Sequence, residues 1–200
     1  MRDSDVRAAL RDKLHALHAG DADTRLVEEM GIWSGSVRID MAVINGELAG
    51  FELKSDRDTL QRLPNQADLY GRVFDRLTLV VGSRHMDKAV AVIPAWWGVT
   101  AAALIDGRVA LTDVRAPMPN PSPDPYLVAQ LLWKEEAVGA LEAFGLAVGW
   151  RSKRVKLIHQ RLAAEVPFPE LALHVRSALK ARNKWLGQDC PDHLDMAVNP

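Results

Sequence analysis

Asp40, Glu52 and Lys54 are the residues of this chain whose types and spacing point most directly to chemistry. Cleaving a phosphodiester requires charge to be stabilised on the transition state and a water to be activated for attack. A hard divalent cation does both, and carboxylate oxygens are suited to hold it. A lysine beside the cation stabilises the same charge or orients the water. The alternative for the same spacing is a solvated sheet face with ordinary ion pairs.

Residues 37–44 and 48–54 must position these groups. Val37, Ile39, Met41 and Val43 alternate with Arg38, Asp40 and Ala42, and Ala49, Phe51 and Leu53 alternate with Gly50, Glu52 and Lys54. A period of two predicts two strands, each with an oily and a polar face. Paired residues share a face, so odd positions must pair with odd and even with even. A three-residue loop, Ile44-Asn45-Gly46 with Gly46 left-handed, satisfies that rule by pairing Val43 with Glu47. Asp40 then lies opposite Gly50 and diagonal to Glu52, and burial parity sets Asp40, Glu52 and Lys54 on one face.

Before this hairpin, Val6, Leu10, Leu14 and Leu17 predict a helix over residues 4–18, with Ser4 as its cap. Residues 24–30, carrying Glu28 and Glu29, read as a short helical or extended piece, and Gly31 and Gly35 frame a loop. After the hairpin, a helix is expected over 58–74, kinked at Pro64. Leu60, Leu63, Ala67, Tyr70 and Phe74 form its buried stripe, with Asp58, Arg62, Gln66 and Tyr70 beside it. Asp58 and Gln61 have capping-box spacing. Residues 76–82 read as a buried strand, 84–91 as a short helix, and 97–105 and 109–114 as strands around an Asp106-Gly107 turn. Alternate prolines over 116–125 predict an extended, hydrogen-bond-poor linker. Helices are expected over 126–144, 152–165 and 169–186, with a loosely ordered tail from residue 187.

The residues Arg38, Ile39 and Asp40, then Gly50, Phe51, Glu52, Leu53, Lys54, Ser55 and Asp56, then Asp58, Leu60, Arg62, Leu63, Gln66 and Tyr70 resemble, in order, the PD-(D/E)XK nuclease superfamily. Within it they are most similar to the uncharacterised sce7726-type group. Ile39 stands where the superfamily's name has proline. The resemblance covers residues 24–100. It implies an α/β fold with a restriction-endonuclease-like core, a mixed central sheet flanked by helices, followed here by a helical C-terminal region. It also implies a Mg²⁺-dependent nuclease, with Mn²⁺ as substitute, hydrolysing DNA. By the resemblance Asp40 and Glu52 are metal ligands and catalytic residues, Lys54 is the catalytic lysine and Gln66 faces the site from the following helix. Tyr70, Arg38 and Ser55 support them. Glu29, or else Glu28, completes the metal shell; spacing does not choose between the two. Many relatives of this fold act as homodimers, although the sequence marks no interface. The alternative is a nucleic-acid-binding or regulatory module on the same fold, without turnover.

The expected division is a core over 1–115, the linker over 116–125 and the helical region over 126–200. The formal net charge is -1, so DNA binding would need a local basic patch. Residues 150–161 supply one: Arg151, Lys153, Arg154 and Lys156 are candidate DNA contacts, with Arg176, Lys180, Arg182 and Lys184 further on. Solvated charges on a packed bundle are the plainer account. One cysteine, Cys190, excludes an internal disulfide and suits a reducing cytoplasm. No apolar run approaches a membrane span. His15 and His18 lack a third zinc ligand in view. His85 is expected at the surface, Trp96 and Trp97 in packing, and Asp58 with Arg62 in an ion pair. Ser34 and Ser36 have no evident histidine partner.

Overall fold

The computed structural model describes residues 1–32 and 37–182. Ser34, Ser36, Gly35, Lys184, Cys190 and the tail from residue 187 lie outside the described residues.

A six-stranded mixed sheet is covered by helices on both faces. Its strands run in sequence order: β1 (Arg25–Ile32), β2 (Val37–Ile44), β3 (Leu48–Lys54), β4 (Arg76–Gly82), β5 (Gly98–Ile105) and β6 (Arg108–Arg115). β1, β2 and β3 pair antiparallel, β3–β4 and β4–β5 parallel, and β5–β6 antiparallel. The parallel steps need crossovers. These carry α2 (Leu63–Tyr70) and, after a 3-10 turn at Ser83–His85, α3 (Met86–Val90).

α1 (Asp3–Leu17) covers one face. Its Val6, Leu10 and Leu14 pack on Met41, Val43, Leu53, Val80 and Ala102. Leu17, expected in that stripe, is exposed, and Asp5 rather than Ser4 reaches back to cap the Arg2 N–H at 2.9 Å. The other face packs α2, α3 and four C-terminal helices into one larger core. These are α4 (Pro125–Ala129), α5 (Lys134–Ala143), α6 (Val155–Glu165) and α7 (Phe168–Ala181).

The helix expected over 58–74 is shorter. α2 begins at Leu63 with Pro64 in its first turn, where a missing N–H costs nothing. Proline therefore starts this helix rather than kinking it. Asp58 makes no capping box with Gln61; its carboxylate accepts Ser55 N–H and Ser55 Oγ–H, both at 2.7 Å. Instead of the expected ion pair to Arg62, Asp58 serves the Ser55 turn and Arg62 lines the cavity beside α2. The segment over 116–125 is extended but not poor in hydrogen bonds. Asn120 Nδ2 donates to the carbonyls of Gly71 and Phe74, and Asn120 and Asp124 N–H groups donate to Asp75 and Arg72.

The hairpin keeps the expected parity and shifts by two residues. Val43 pairs with Ala49 and Ile44 with Leu48, so the loop is Asn45-Gly46-Glu47. Asn45 closes it, its N–H donating to Glu47 O and its Oδ1 accepting Glu47 N–H, each at 3.0 Å. Gly46 is not left-handed: the glycines with positive φ among the described residues are Gly20, Gly107, Gly145 and Gly149. Gly50 matters for a different reason. A Cβ there would meet Ile39 Cδ1 at 2.5 Å, Leu77 Cδ2 at 2.8 Å and Phe74 Cδ1 at 2.9 Å. Gly50→Ala is therefore expected to destabilise the fold by about 1–3 kcal/mol through overpacking. Urea titration checks this; a midpoint equal to wild type would contradict it.

Among the described residues, no helix is long and apolar enough to cross a membrane.

Candidate active site at the end of the β2–β3 ladder

β3 lies third in a six-strand sheet covered on both faces, so its even-numbered side chains point into the larger core. Glu52 and Lys54 follow Leu48 and Gly50 onto that face. They are not on a solvated surface: Glu52 is 2% exposed and Lys54 5%. Lys54 Nζ donates to Glu52 Oε1, and Glu52 Oε2 has no hydrogen-bond partner. An unpaired carboxylate oxygen at this depth is costly.

That cost appears as a perturbed pKa. Burial, and next the negative charge of Asp40, push the Glu52 carboxyl up to about 7, against the opposing pull of Lys54. Between its ordinary value and about 7, the folded chain holds a proton that the unfolded chain releases. Stability from this group is thus greatest at low pH and falls as pH rises through that window. The fall should total roughly 3 kcal/mol and be absent from Glu52→Gln. Denaturant midpoints of both proteins at pH 5 and pH 8 measure it; parallel pH profiles would refute it.

Asp40 sits where the regular alternation breaks. Val27, Ala42 and Ile44 face the larger core, yet so do Met30, Ile32 and Ile39. Met41 and Val43 face α1. Both strands therefore change phase between Glu28–Met41 and Met30–Ile39, and Glu29 and Asp40 form the one step skipped in the ladder. Glu29 adopts φ +49, a left-handed value that glutamate rarely takes, and this reverses the strand's phase. The expectation that Val37, Ile39, Met41 and Val43 share one face is therefore corrected, and so is the placing of Asp40 opposite Gly50, which pairs with Ala42 instead. With both faces buried, apolar alternation does not say which face is which.

The β2–β3 ladder ends at Met41–Phe51. Beyond it the Asp40 side chain takes over, Oδ2 accepting Leu53 N–H at 2.7 Å. Oδ1 receives Arg7 Nη2 from α1 at 2.8 Å. Arg7 Nη1 also reaches Asp40 O at 3.0 Å and Glu29 Oε1 at 2.9 Å. Glu28 is held by a different arginine of α1, Arg11, whose Nη2 donates to its Oε2 at 3.0 Å. The structure thus sets Glu29, not Glu28, beside Asp40, a choice that spacing had left open. Among the described residues, no group of three or more His, Cys, Asp or Glu is gathered as a metal site.

α2 forms the roof. Tyr70 is fully buried; its hydroxyl donates to Arg38 O at 2.6 Å and accepts from Gln66 Nε2 at 3.3 Å. It also interacts with Glu52, and burial with that negative charge raises its pKa. Gln66 Oε1 is buried without a partner. Beside these groups lies an open cavity of about 530 Å³, bounded by Glu29, Arg38, Arg62, Asn65, Gln66 and Tyr70 among others. Ser55 is buried and serves the turn through Asp58.

Other candidates lie elsewhere in role. Arg151 pairs with Glu142 at 3.1 Å, whereas Lys153, Arg154 and Lys156 are exposed around the start of α6. Arg176, Lys180 and Arg182 pin the C-terminal helices: Arg176 to Asp75, Lys180 to Asp23 and Arg182 to Glu136, with Arg182 also stacked on Trp133. His159 is buried, its Nε2 against Leu132 O at 3.0 Å. His15 is exposed. His85 is half-buried in the 3-10 turn after β4, its Nε2 buried without a partner. Trp97 is fully buried and packs edge-on to Trp96.

Sequence reasoning missed Arg7 and Asn65. Arg7 and Arg11 do form an i,i+4 basic stripe beside the apolar stripe of α1. Nothing local identifies Glu29 and Glu28 as their partners.

The family model described as Bacteriophage P4 protein cII matches residues 1–189. Protein cII of Enterobacteria phage P4 is 35% identical over 80 residues, which are 40% of this chain and 30% of that protein's length. A solved structure of a protein of unknown function from Silicibacter pomeroyi aligns with 75% of this chain and 92% of its own, at 20% identity and a TM-score of 0.41.

Proposed function

The chain belongs to the family of bacteriophage P4 protein cII, and from that premise and the geometry around Glu52 we propose that it is a metal-dependent nuclease acting on DNA. The observation that carries the proposal is the buried Glu52–Lys54 pair with Glu52 Oε2 unpartnered and Asp40 close enough to raise the Glu52 pKa. A purely structural pair gains little from a second carboxylate nearby, since like charges raise each other's ionisation cost. Two carboxylates that repel each other are what a divalent cation would relieve.

Two carboxylates, and not a cluster of three, would hold a hard cation: Asp40, whose Oδ1 is now on Arg7, and Glu52, whose Oε2 is unpartnered. Bound there, Mg²⁺, or Mn²⁺ in its place, would supply Lewis-acid stabilisation of the phosphoryl oxygen and acidify water. The chain's own groups do the rest. Lys54, held in place by Glu52, presents its ammonium to the charge that develops on the phosphate. Tyr70 ties α2 to the Arg38 carbonyl and so fixes Gln66 over the site, where its free Oε1 can orient a water. Arg38 and Arg62, on the rim of the cavity, contact flanking phosphates. Lys153, Arg154 and Lys156, with Arg151, extend the phosphate contact from the C-terminal helices.

The finer fold assignment is part of the same proposal: a restriction-endonuclease-like core of the PD-(D/E)XK superfamily, near the sce7726-type group. Its support is the order of parts. An antiparallel β2 carries Asp40, β3 carries Glu52 and Lys54, and α2 carries Gln66 and Tyr70 before a parallel β4.

One observation favours a second reading, nucleic-acid binding or regulation without turnover: Arg7 already pairs with Asp40. Incubating plasmid and single-stranded DNA with the protein in Mg²⁺, Mn²⁺ or chelator separates the two. Metal-dependent cutting is the expected result. DNA binding with no cutting under any metal would leave the second.

A further inference from the structure

Arg7 makes more interactions with the candidate site than any group on α1 needs for packing. Its Nη2 lies 2.8 Å from Asp40 Oδ1 and its Nη1 lies 3.0 Å from Asp40 O and 2.9 Å from Glu29 Oε1. Nη2 is also 3.3 Å from Asp3 Oδ2, one helical turn back. The side chain is mostly buried, so these pairs are screened less than surface ones. Charge from Asp40, Asp3 and Glu29 all act on one guanidinium.

The oxygens of Asp40 are divided by this arrangement. Oδ2 accepts the Leu53 N–H, a bond that continues the β2–β3 ladder and belongs to the fold. Oδ1 is the oxygen on which a cation can sit, and Arg7 is on it. Glu29, at the step of the β1–β2 ladder skipped together with Asp40, is held by the other arm of the same guanidinium, in a left-handed backbone conformation.

We propose that Arg7 is a positioning residue that competes with the divalent cation for Asp40, so that the cation binds by displacing one arm of the guanidinium from Oδ1. The displaced group has somewhere to go. Asp3 and Glu29 retain it, which keeps Arg7 at the edge of the site, close to where a substrate phosphate would arrive. The inference rests on the proposed metal site, and it deepens that proposal by naming what sets the metal affinity. The carboxylates are kept apart and neutralised by α1, and the cation must outbid a tethered competitor.

Mn²⁺ binding, read by electron paramagnetic resonance of free Mn²⁺ or by calorimetry, tests the inference without any cleavage assay. The proteins compared are the full chain and its Arg7→Gln, Arg7→Lys, Asp3→Asn and Asp40→Asn variants. Arg7→Gln should bind Mn²⁺ about five- to tenfold more tightly than wild type, the weight of one partly screened ion pair. Arg7→Lys, which keeps the charge but loses the two-armed fork, should fall between them. Asp3→Asn removes the alternative anchor, presses Arg7 onto Asp40 and should weaken binding. A merely structural Arg7 would give the opposite sign: loosening Asp40 would weaken Mn²⁺ binding in Arg7→Gln. That result would overturn the inference, as would Asp3→Asn binding as tightly as or more tightly than wild type. The Asp3 variant decides even if Arg7→Gln does not fold, because the Asp3 side chain is 44% exposed and outside the core. Failure of the metal site itself reads differently. Mn²⁺ binding absent, or unchanged by Asp40→Asn, would remove the site and the competition together.

Discussion

Asp40→Ala is expected to reduce metal-dependent DNA cleavage by at least about a thousandfold. In the proposed site the carboxylate would supply one of two anionic ligands, and losing it would remove both the charge stabilisation and the activated water that the cation would provide. Asp40 also has a fold role, since its Oδ2 accepts Leu53 N–H. A carboxylate accepting a backbone hydrogen bond contributes about 1.5–3 kcal/mol. Loss of activity in the alanine variant could therefore reflect a frayed β2–β3 end. Asp40→Asn separates the two effects. An amide oxygen still accepts the Leu53 N–H, but the neutral side chain binds a cation poorly. Asn should stay near wild-type stability and be about as inactive as Ala. Cleavage retained within threefold in either variant would remove Asp40 from the chemistry.

Lys54→Met should produce a stability loss that depends on pH. Lys54 is the hydrogen-bond partner of a glutamate that is 2% exposed, and Glu52 Oε2 already lacks a partner. Breaking a buried pair by deleting one member leaves an uncompensated charge unless the survivor takes up a proton. The cost should depend on pH in a specific direction. The Glu52 pKa of about 7 already reflects burial and Asp40, with Lys54 pulling it down. Without Lys54 it rises further. At pH 5 the carboxyl is neutral and Lys54→Met should cost little beyond repacking. At pH 8 Glu52 in the variant stays protonated, which bounds the added cost at about 1.4 kcal/mol, one pH unit above a pKa of about 7. The double variant Glu52→Gln, Lys54→Met should recover most of the loss at pH 8, giving a strong coupling energy in a double-mutant cycle. Urea unfolding at the two pH values measures all four proteins. An equal loss at both pH values would assign the effect to packing rather than charge.

Much of the fold was legible because its signals are local. Val6, Leu10 and Leu14 announce α1 at helical spacing. The alternation over 48–54 assigns Glu52 and Lys54 to one face of β3, and parity correctly demands an odd-length hairpin loop. The Asp106-Gly107 turn, with φ of +48 and +78, lies where the dipeptide says it should. Errors arose where local rules compete. Pro64 both breaks a helix interior and favours a first turn, and only the surrounding packing selects the second. Asn45 closes the hairpin one residue later than Gly46 alone implies.

By itself, then, the sequence determined strands β2 to β6 and the shared face of Glu52 and Lys54, while it left residues 24–30 open between helix and strand; the chemistry of those groups is the proposal built on them. Tertiary structure alone decided the environment in which those groups sit. The second face of the sheet is covered by helices from the far end of the chain, which turns an expected polar surface into a buried pair and lifts the Glu52 pKa to about 7. It also set Glu29 rather than Glu28 beside Asp40, through a phase change at Glu29 and two arginines on α1 that take one glutamate each. Periodicity is carried by neighbours a few residues apart. Desolvation and the pairing of Arg7 with Asp40 depend on which remote surfaces meet, and a one-dimensional pattern holds no measure of that distance.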